Sequence, residues 1–130
     1  MQPDNRDLAY LLDMLSCCND VISFTSEITF EVFEQDRMRR FATERQLETL
    51  GEAANHVSEA TQHAYGSIAW PKLVGLRNKL AHDYGEVLAE RVWQIARSSI
   101  PELRIQLLAI DDVRVQDAKD SEGSPTKEKE

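Results

Sequence analysis

The chain has 130 residues, a formal net charge of −8 at pH 7, 42% hydrophobic residues and 29% charged residues. This length and composition are typical of one globular domain that buries a core without disulfides or metals. The acidic charge argues against a protein that coats nucleic acid, because such binding needs clustered Lys and Arg. No apolar run approaches the roughly 20 residues of a membrane span, so no membrane partner is expected.

The two cysteines, Cys17 and Cys18, are adjacent in sequence. Neighbouring cysteines rarely pair with each other, so we expect no disulfide, and a reducing, cytoplasmic setting fits best. Small core residues are a commoner role for them than catalysis. The N-terminus lacks a basic stretch followed by an apolar run, so we predict no signal peptide.

Helical periodicity dominates the chain and begins with a first helix after Asp4. Asp4 is a good N-cap, with Asp7 three residues later. Apolar residues then recur at spacings of three and four on one stripe, namely Leu8, Leu11, Leu12, Leu15, Cys18 and Ile22. We expect this helix to end near Ser26. The segment ITFEVFEQ is then predicted to be a compact apolar connection that packs under the next helix.

A second helix is predicted over about residues 37–57. Its inward positions would be Met38, Phe41, Leu50, Ala53, Ala54 and Val57, with Leu47 flanking. Gly51 lies inside this helix, where a glycine costs about 1 kcal/mol relative to alanine. We therefore expect another backbone to approach Gly51 closely.

The helix signals after residue 57 are separated by a loop and by prolines. The segment SEATQHAYGSIAWP is predicted to be the main loop, with one short helical turn at most. Pro71 would open a third helix, KLVGLRNKLAH, and Gly85 would stop it. Its buried stripe would be Leu73, Leu76 and Leu80. A fourth helix covers about 87–99, and Pro101 predicts either a kink or a break at Ile100 before a fifth piece.

These elements predict an all-α domain over residues 1–111, an antiparallel bundle of four main helices plus a short C-terminal helix. From Asp112 onward the pattern dissolves into charged, Ser, Gly and Pro residues, so residues 112–130 are predicted to be a disordered tail. Four large aromatic residues are assigned to the core or to an interface, namely Phe30, Phe33, Trp70 and Trp93.

The segment GLRNKLAHDYG, residues 75–85, concentrates polar side chains at a helix end. Arg77 offers a fork of donors suited to phosphate, and His82 lies where the helix dipole favours a protonated imidazole. Together they suit metal-free RNA cleavage, with Asn78 or Tyr84 orienting a phosphate or the imidazole. However, five helical residues turn through about 500°, so Arg77 and His82 diverge by roughly 140°. Spacing alone favours the plainer explanation, a helix that ends in a polar turn.

Other candidate sites carry weaker signals. His56 and His63 have no Cys or acid at a metal-ligand spacing, so no metal site is predicted. Basic side chains near residue 40 and on the third helix are candidate contacts to RNA or to a partner, namely Arg37, Arg39, Arg40 and Lys79. A solvated charged face is the simpler explanation for the group around residue 40, which also includes Arg45.

A series of segments in order resembles the HepT branch of the HEPN family. The segments are YLLDML, TFEVFEQD, LETLGEAANHV, AWPKLVGLRN, RNKLAHDY with its R-x4-H-x-Y pattern, and VWQIARSSIPEL. The similarity extends over roughly residues 4–110. It implies a small helical bundle that forms a homodimer, in which two copies of the Arg–His motif share a cleft.

The resemblance also implies a function and a role for each motif residue. Many proteins of this type are metal-independent endoribonucleases, and those of this branch act as toxins, with transfer RNA as the expected substrate and messenger RNA as the alternative. Arg77 and His82 would be the catalytic pair, and Asn78 matches the polar residue that follows the arginine. An MntA-like nucleotidyltransferase antitoxin would use ATP to place AMP on Tyr84, so the chain itself needs no cofactor. The GEA segment also matches the family, but the match does not decide whether its acid, Glu52, has a structural or a catalytic role.

HEPN domains also exist that do not cleave RNA. The alternative is therefore a partner of a nucleotidyltransferase that binds a nucleotide or a protein and does not cleave RNA. In that case Arg77 and His82 would hold the phosphates of the nucleotide.

Overall fold

A computed structural model of the chain describes residues 2–123. Every regular element in that range is helical, which confirms the predicted all-α fold. The elements are α1 (Asn5–Thr25), α2 (Phe30–Gln35), α3 (Arg37–His56), α4 (Glu59–Ala64), α5 (Trp70–Val74), α6 (Leu76–Ala81), α7 (Gly85–Gln94), a π-helical turn (Ile95–Ser99), α8 (Ile100–Leu108) and α9 (Asp111–Gly123).

The two longest helices, α1 and α3, pack against each other at the centre of the fold. In addition, α8 packs on α1, and α5 and α6 pack on α3. The interior between them is fully buried, with Leu11, Met14, Phe33, Leu47, Leu50, Ile100 and Leu107 all at 0% exposure. These side chains supply the hydrophobic driving force of the fold.

Side-chain caps fix where the first three helices begin. The Asp7 amide donates to Asp4 Oδ1 at 2.8 Å, which confirms the predicted start of α1. Thr29 caps α2, so the predicted apolar connection is a short helix. At α3, the Arg39 amide donates to Asp36 Oδ1 at 3.0 Å. Because Asp36 ends one helix and starts the next, the chain turns there without a loop.

Gly51 confirms the predicted close approach of two backbones. A Cβ atom added to it would lie 2.6 Å from the carbonyl oxygen of Leu73. That distance is well inside van der Waals contact, so α3 and α5 can pack this tightly only with glycine at position 51. The same added atom would lie 3.7 Å from Leu76 Cβ, so α6, which follows α5 directly, also packs on α3.

The prediction of one continuous third helix is wrong. Gly75 divides it into α5 and α6, and α6 ends at Ala81 with His82 as its C-cap. Gly85 does not stop this helix but begins α7, with a φ of 63° that favours glycine. Trp70, at the start of α5, is buried and its indole N–H donates to the Tyr65 carbonyl at 3.1 Å.

No break occurs at Ile100, because the chain stays helical from α7 into α8. A π-helical turn, Ile95–Ser99, precedes Pro101 instead and absorbs an extra residue in the helix. Trp93, at the end of α7, is partly buried with its ring centroid 5.2 Å from that of Phe33. The four large aromatic side chains therefore belong to the core, as predicted.

Two further predictions fail where tertiary contacts decide the outcome. Met38 and Phe41 were expected to point inward, but they are 84% and 51% exposed. The predicted disordered tail is wrong for residues 112–123, because α9 forms there and Val113 is fully buried. Residues 124–130 of that predicted tail lie outside the described part of the chain.

The cysteines are core residues, as their sequence context suggested. Cys17 and Cys18 are both buried free thiols. Burial, together with the carboxylates of Asp20 and Asp13, raises the pKa of Cys17 to about 11. Burial and the adjacent Cys17 raise the pKa of Cys18 to about 12. Both thiols are therefore protonated at neutral pH and poor nucleophiles.

Candidate functional site

The short helix α6 presents the sequence-predicted site residues to solvent. Leu76 and Leu80 are buried and fix one face of α6 against the core. The three residues between them are exposed as a consequence, namely Arg77, Asn78 and Lys79. The fold therefore displays these polar groups at the surface on a firmly packed helix.

Arg77 lies at the edge of a cavity of about 260 Å³ between α1, α3 and α6. The side chains that line it are Tyr10 and Asp13 from α1, Arg45, Glu48, Thr49, Glu52, Ala53 and His56 from α3, and Arg77 itself. A second cavity of about 180 Å³ shares Glu48, Glu52 and Arg77. The structure thus brings Glu52, whose role the sequence left open, to the same cavities as Arg77.

His82 lies apart from these cavities. It is exposed at the C-cap of α6, where its backbone N–H donates to the carbonyls of Lys79 and Leu80. Within residues 2–123, neither His82 nor Arg77 makes a side-chain hydrogen bond or an ion pair. Both side chains are therefore available to a ligand or to a second copy of the chain.

An ion pair holds the turn between His82 and Tyr84. Arg91 Nε on α7 donates to Asp83 Oδ2, and the Asp83 side chain is only 15% exposed. This contact ties the residue between the two predicted functional groups to the neighbouring helix. Sequence reasoning missed it, although an acid inside the motif and an arginine eight residues later were visible.

Tyr84 differs from the other tyrosines in its accessibility. It is 82% exposed at the N-cap of α7. By contrast, Tyr10 and Tyr65 are partly buried against the core. Of the three tyrosines in the chain, Tyr84 therefore presents its hydroxyl most openly to another protein.

The arginines around residue 40 are not equivalent. Arg39 donates to Asp36 Oδ2 at 3.2 Å and to the Phe24 carbonyl at 2.7 Å, so it joins α3 to the end of α1. Arg40 has a buried Nε without a partner among the described residues. Arg37 is exposed, with its guanidinium carbon 5.4 Å from the Phe41 ring. None of these three arginine side chains lines either cavity at Arg77. Arg45, further along the same segment, lines the cavity of about 260 Å³.

One face of α3 connects an exposed apolar surface to the Arg77 cavity. Met38 and Phe41 begin this face, and Arg45, Glu48 and Glu52 continue it at spacings of four, three and four residues. The last three line the cavity. Two exposed hydrophobic side chains therefore share a helix face with the candidate site.

The described residues contain neither a metal site nor a membrane span. In that range, no group of three or more His, Cys, Asp or Glu side chains is arranged to hold a metal ion. The same range contains no helix that combines the length and the apolarity needed to cross a bilayer.

Comparison with known proteins gives a consistent family. The family described as "Ribonuclease HepT-like" matches residues 14–110. Relatives carry provisional ribonuclease names. One RNase candidate from Methanocaldococcus jannaschii is 35% identical over 100 residues, which are 76% of this chain and 92% of that protein. A ribonuclease HepT candidate from Thermococcus cleftensis is 33% identical over 104 residues, 80% of this chain and 93% of that protein. No solved structure matches the chain significantly.

Proposed function

The chain belongs to the HepT-like ribonuclease family, and we propose that it cleaves RNA without a metal ion and is the toxin of a toxin–antitoxin pair. The observation that carries the proposal is the exposure of Arg77 and His82 without side-chain partners, on a helix whose other face is buried. A surface arginine and histidine left unpaired are available to bind a phosphate and to transfer a proton.

The chemistry needs only these two groups and the RNA. The His82 imidazole accepts the proton of a ribose 2′-hydroxyl, and the 2′-oxygen attacks the adjacent phosphorus. The bond from phosphorus to the 5′-oxygen breaks, and an imidazolium returns a proton to that leaving oxygen. Arg77 stabilises the charge on the phosphoryl oxygens through its fork of N–H donors. The exposed Asn78 beside it offers one more donor to the phosphate.

A homodimer would complete the site. Because Arg77 and His82 diverge in one copy, a cleft shared by two copies is the simplest way to present both groups to one phosphate. The exposed Met38 and Phe41 lie on the α3 face that leads to the Arg77 cavity. We propose that a second copy covers Met38 and Phe41 at the start of this face, since burying two large apolar side chains favours association.

The oligomeric state tests this arrangement directly. Met38→Glu with Phe41→Glu should convert the dimer to a monomer in light scattering and abolish RNA cleavage. Ile105→Glu is the matched control, because Ile105 is 69% exposed on α8 and outside this face. A double variant that remains dimeric and active would show that this face is not the interface.

Tyr84 is proposed as the point of control by an MntA-like nucleotidyltransferase. Its hydroxyl oxygen would attack the α-phosphorus of ATP and lose its proton, forming AMP–Tyr84 and releasing pyrophosphate. The added phosphate would lie two residues from His82 and compete with RNA for Arg77. The high exposure of Tyr84 supports this role, because a second enzyme must reach the hydroxyl. This function would be exercised in the cytoplasm, where RNA and ATP are available.

Mass spectrometry tests the modification. The chain incubated with the partner and ATP should gain mass in steps of one AMP, and Tyr84→Phe should gain none. Tyr65→Phe is the control, since this partly buried tyrosine should leave the modification unchanged. An unaltered mass gain in Tyr84→Phe would rule out this residue as the acceptor.

RNA cleavage tests the catalytic pair. His82→Ala and Arg77→Ala should each lower the cleavage rate by about 10²–10⁴-fold while the thermal unfolding temperature stays unchanged. His63→Ala, an exposed histidine on α4, should cleave like the wild type. If the wild-type chain cleaves no RNA but binds ATP tightly in a calorimetric titration, the non-cleaving nucleotide-binding alternative is correct.

A further inference from the structure

We propose that the cavity beside Arg77 is a subsite for one nucleobase of the RNA substrate, with guanine as the base that fits it best. The proposal rests on the proposed ribonuclease function and assigns a role to Tyr10, His56 and Glu52. Three observations carry it: a paired aromatic surface, the balance of charge in the cavity, and its spacing from Arg77.

An aromatic surface lines one end of the cavity. The rings of Tyr10 and His56 are stacked, with centroids 5.0 Å apart and planes inclined by 18°. Tyr10 is partly buried, which fixes its ring, whereas His56 is exposed. A third base-like ring can therefore stack on the outer face of His56. Stacking on aromatic side chains is how proteins commonly hold an unpaired RNA base.

The charges in the cavity favour a base over a chain of phosphates. Two guanidinium groups, Arg45 and Arg77, face three carboxylates, Asp13, Glu48 and Glu52. The acids outnumber the bases, so a triphosphate would meet net repulsion, and only the edge at Arg77 suits a single phosphate. Carboxylates accept hydrogen bonds but do not donate them at neutral pH. The group that fits beside them is neutral and carries N–H donors.

The donor pattern favours guanine over uracil. Guanine places an N1–H and an N2 amino group side by side, so one carboxylate can accept from both. Uracil offers a single N–H between two carbonyl oxygens, which the acidic wall would repel. Carboxylate recognition of base amino groups is an established form of base readout. Glu48 and Glu52 both line the two cavities that contain Arg77, but Glu48 Oε1 lies 3.9 Å from Arg45 Nη1. Glu52 has no ion-pair partner among the described residues and is therefore the better placed acceptor.

The spacing matches one nucleotide. Glu52 and His56 are four residues apart on α3, so about 6 Å of helix separates them. Arg77 and Glu52 line the same two cavities, and His56 lies about one helical turn beyond Glu52 on α3. A phosphate at Arg77 would thus place its own nucleoside's base against His56 and its donor edge toward Glu52. The subsite would therefore select which phosphodiester bond is presented for cleavage.

Nuclear magnetic resonance can test the subsite without RNA cleavage, because the chain has three histidines. Guanosine 5′-monophosphate should shift the ring protons of His56 through stacking and leave those of His63 unmoved. Uridine 5′-monophosphate should bind about tenfold more weakly or worse. Glu52→Gln should remove most of this preference, and His56→Ala should weaken both nucleotides by about tenfold. Equal affinity for the two nucleotides, or no shift at His56, would overturn the proposal.

Cleavage-site sequencing on a random RNA pool provides the second test. The wild type should cut next to guanosine, and Glu52→Gln should cut with a flattened base preference. His63→Ala should retain the wild-type preference. If the wild type cuts RNA in a His82-dependent manner with no base preference, the subsite is wrong and the ribonuclease proposal stands. If the wild type cuts no RNA, the ribonuclease proposal fails, and the nucleotide titrations still decide whether the cavity binds a base.

Discussion

Two polar clusters in this small protein have opposite properties. At the junction of α1 and α4, the buried Asp7 carboxylate accepts from the Ser58 amide at 3.0 Å, from the Ser58 hydroxyl at 2.6 Å and from the Thr61 hydroxyl at 2.6 Å. In the segment from Arg77 to Tyr84, the side chains of Arg77 and His82 are exposed and lack such partners within the described residues.

Under the proposed function, this difference separates a structural cluster from a ligand-binding one. A buried carboxylate that already accepts three hydrogen bonds is out of reach of a ligand, and its hydrogen bonds stabilise the fold. An exposed arginine and histidine contribute little to folding and can bind a substrate instead. Changes at Asp7 should therefore affect stability, and changes in the 77–84 segment should affect activity.

The largest effect is expected from Asp7→Ala. It removes the acceptor of three hydrogen bonds and leaves Ser58 and Thr61 without it, so the free energy of unfolding should fall by about 3 kcal/mol. Urea denaturation measures this loss. Asp20→Ala, at a partly exposed aspartate on the same helix, should change stability by less than about 0.5 kcal/mol. Similar losses in the two variants would contradict a structural role specific to Asp7.

Gly51→Ala should have the next largest effect, because Gly51 connects the core to the helix that carries Arg77. The new methyl group would meet the Leu73 carbonyl oxygen at 2.6 Å. The clash should cost about 2 kcal/mol in spite of the better helix propensity of alanine. Gly66→Ala is the control, since its methyl group would meet only an ordinary contact at 3.5 Å. A stabilised Gly51→Ala variant would mean that α5 shifts readily.

Asp7 should account for part of the decrease in the free energy of unfolding at acid pH. Burial raises the pKa of this carboxyl group, but the hydrogen bonds from Ser58 and Thr61 outweigh burial, so the pKa in the folded state lies below its ordinary value of 3.8. Asp7 therefore contributes stability above about pH 4, which is lost as the pH falls through the folded-state pKa. The free energy of unfolding should decrease between pH 5 and pH 3.

Asp7→Asn isolates this contribution, because it removes the titrating group and leaves the others in place. The difference in stability between wild type and variant should shrink as the pH falls. Glu44 acts in the opposite sense, since burial raises its pKa and protonation relieves that cost in acid. A constant difference from pH 6 to pH 3 would rule out a lowered pKa for Asp7.

The smallest effect is expected at the ion pair beside His82, the proposed catalytic histidine. Arg91→Gln frees Asp83, so the turn that carries His82 should be held less precisely, and kcat should fall by about fivefold with KM nearly unchanged. Stability should change by less than about 1 kcal/mol, because the pair is partly exposed. Arg114→Gln breaks the exposed Asp111–Arg114 pair and should leave kcat unaltered. Equal kcat values in both variants would show that Asp83 does not position His82.

Local patterns in the sequence were sufficient for the long helices. Asp4 and the apolar stripe that follows it define α1 because capping and helical periodicity act within a few residues. Gly51 also predicted a close contact from local sequence alone, because a glycine inside a helix costs stability that a close contact can offset. The order of segments around the R-x4-H pattern was enough to indicate the family.

The tertiary structure decided which apolar positions are buried and which polar groups meet. Periodicity placed Met38 and Phe41 inward, because an exposed apolar stripe and a core stripe have the same spacing. The charged composition of residues 112–123 led to a prediction of disorder where α9 forms. This helix is stabilised by the burial of Val113 beside α1 and α8. The cavity that joins Tyr10, Glu52 and Arg77 draws on three helices distant in sequence, and only packing brings them together.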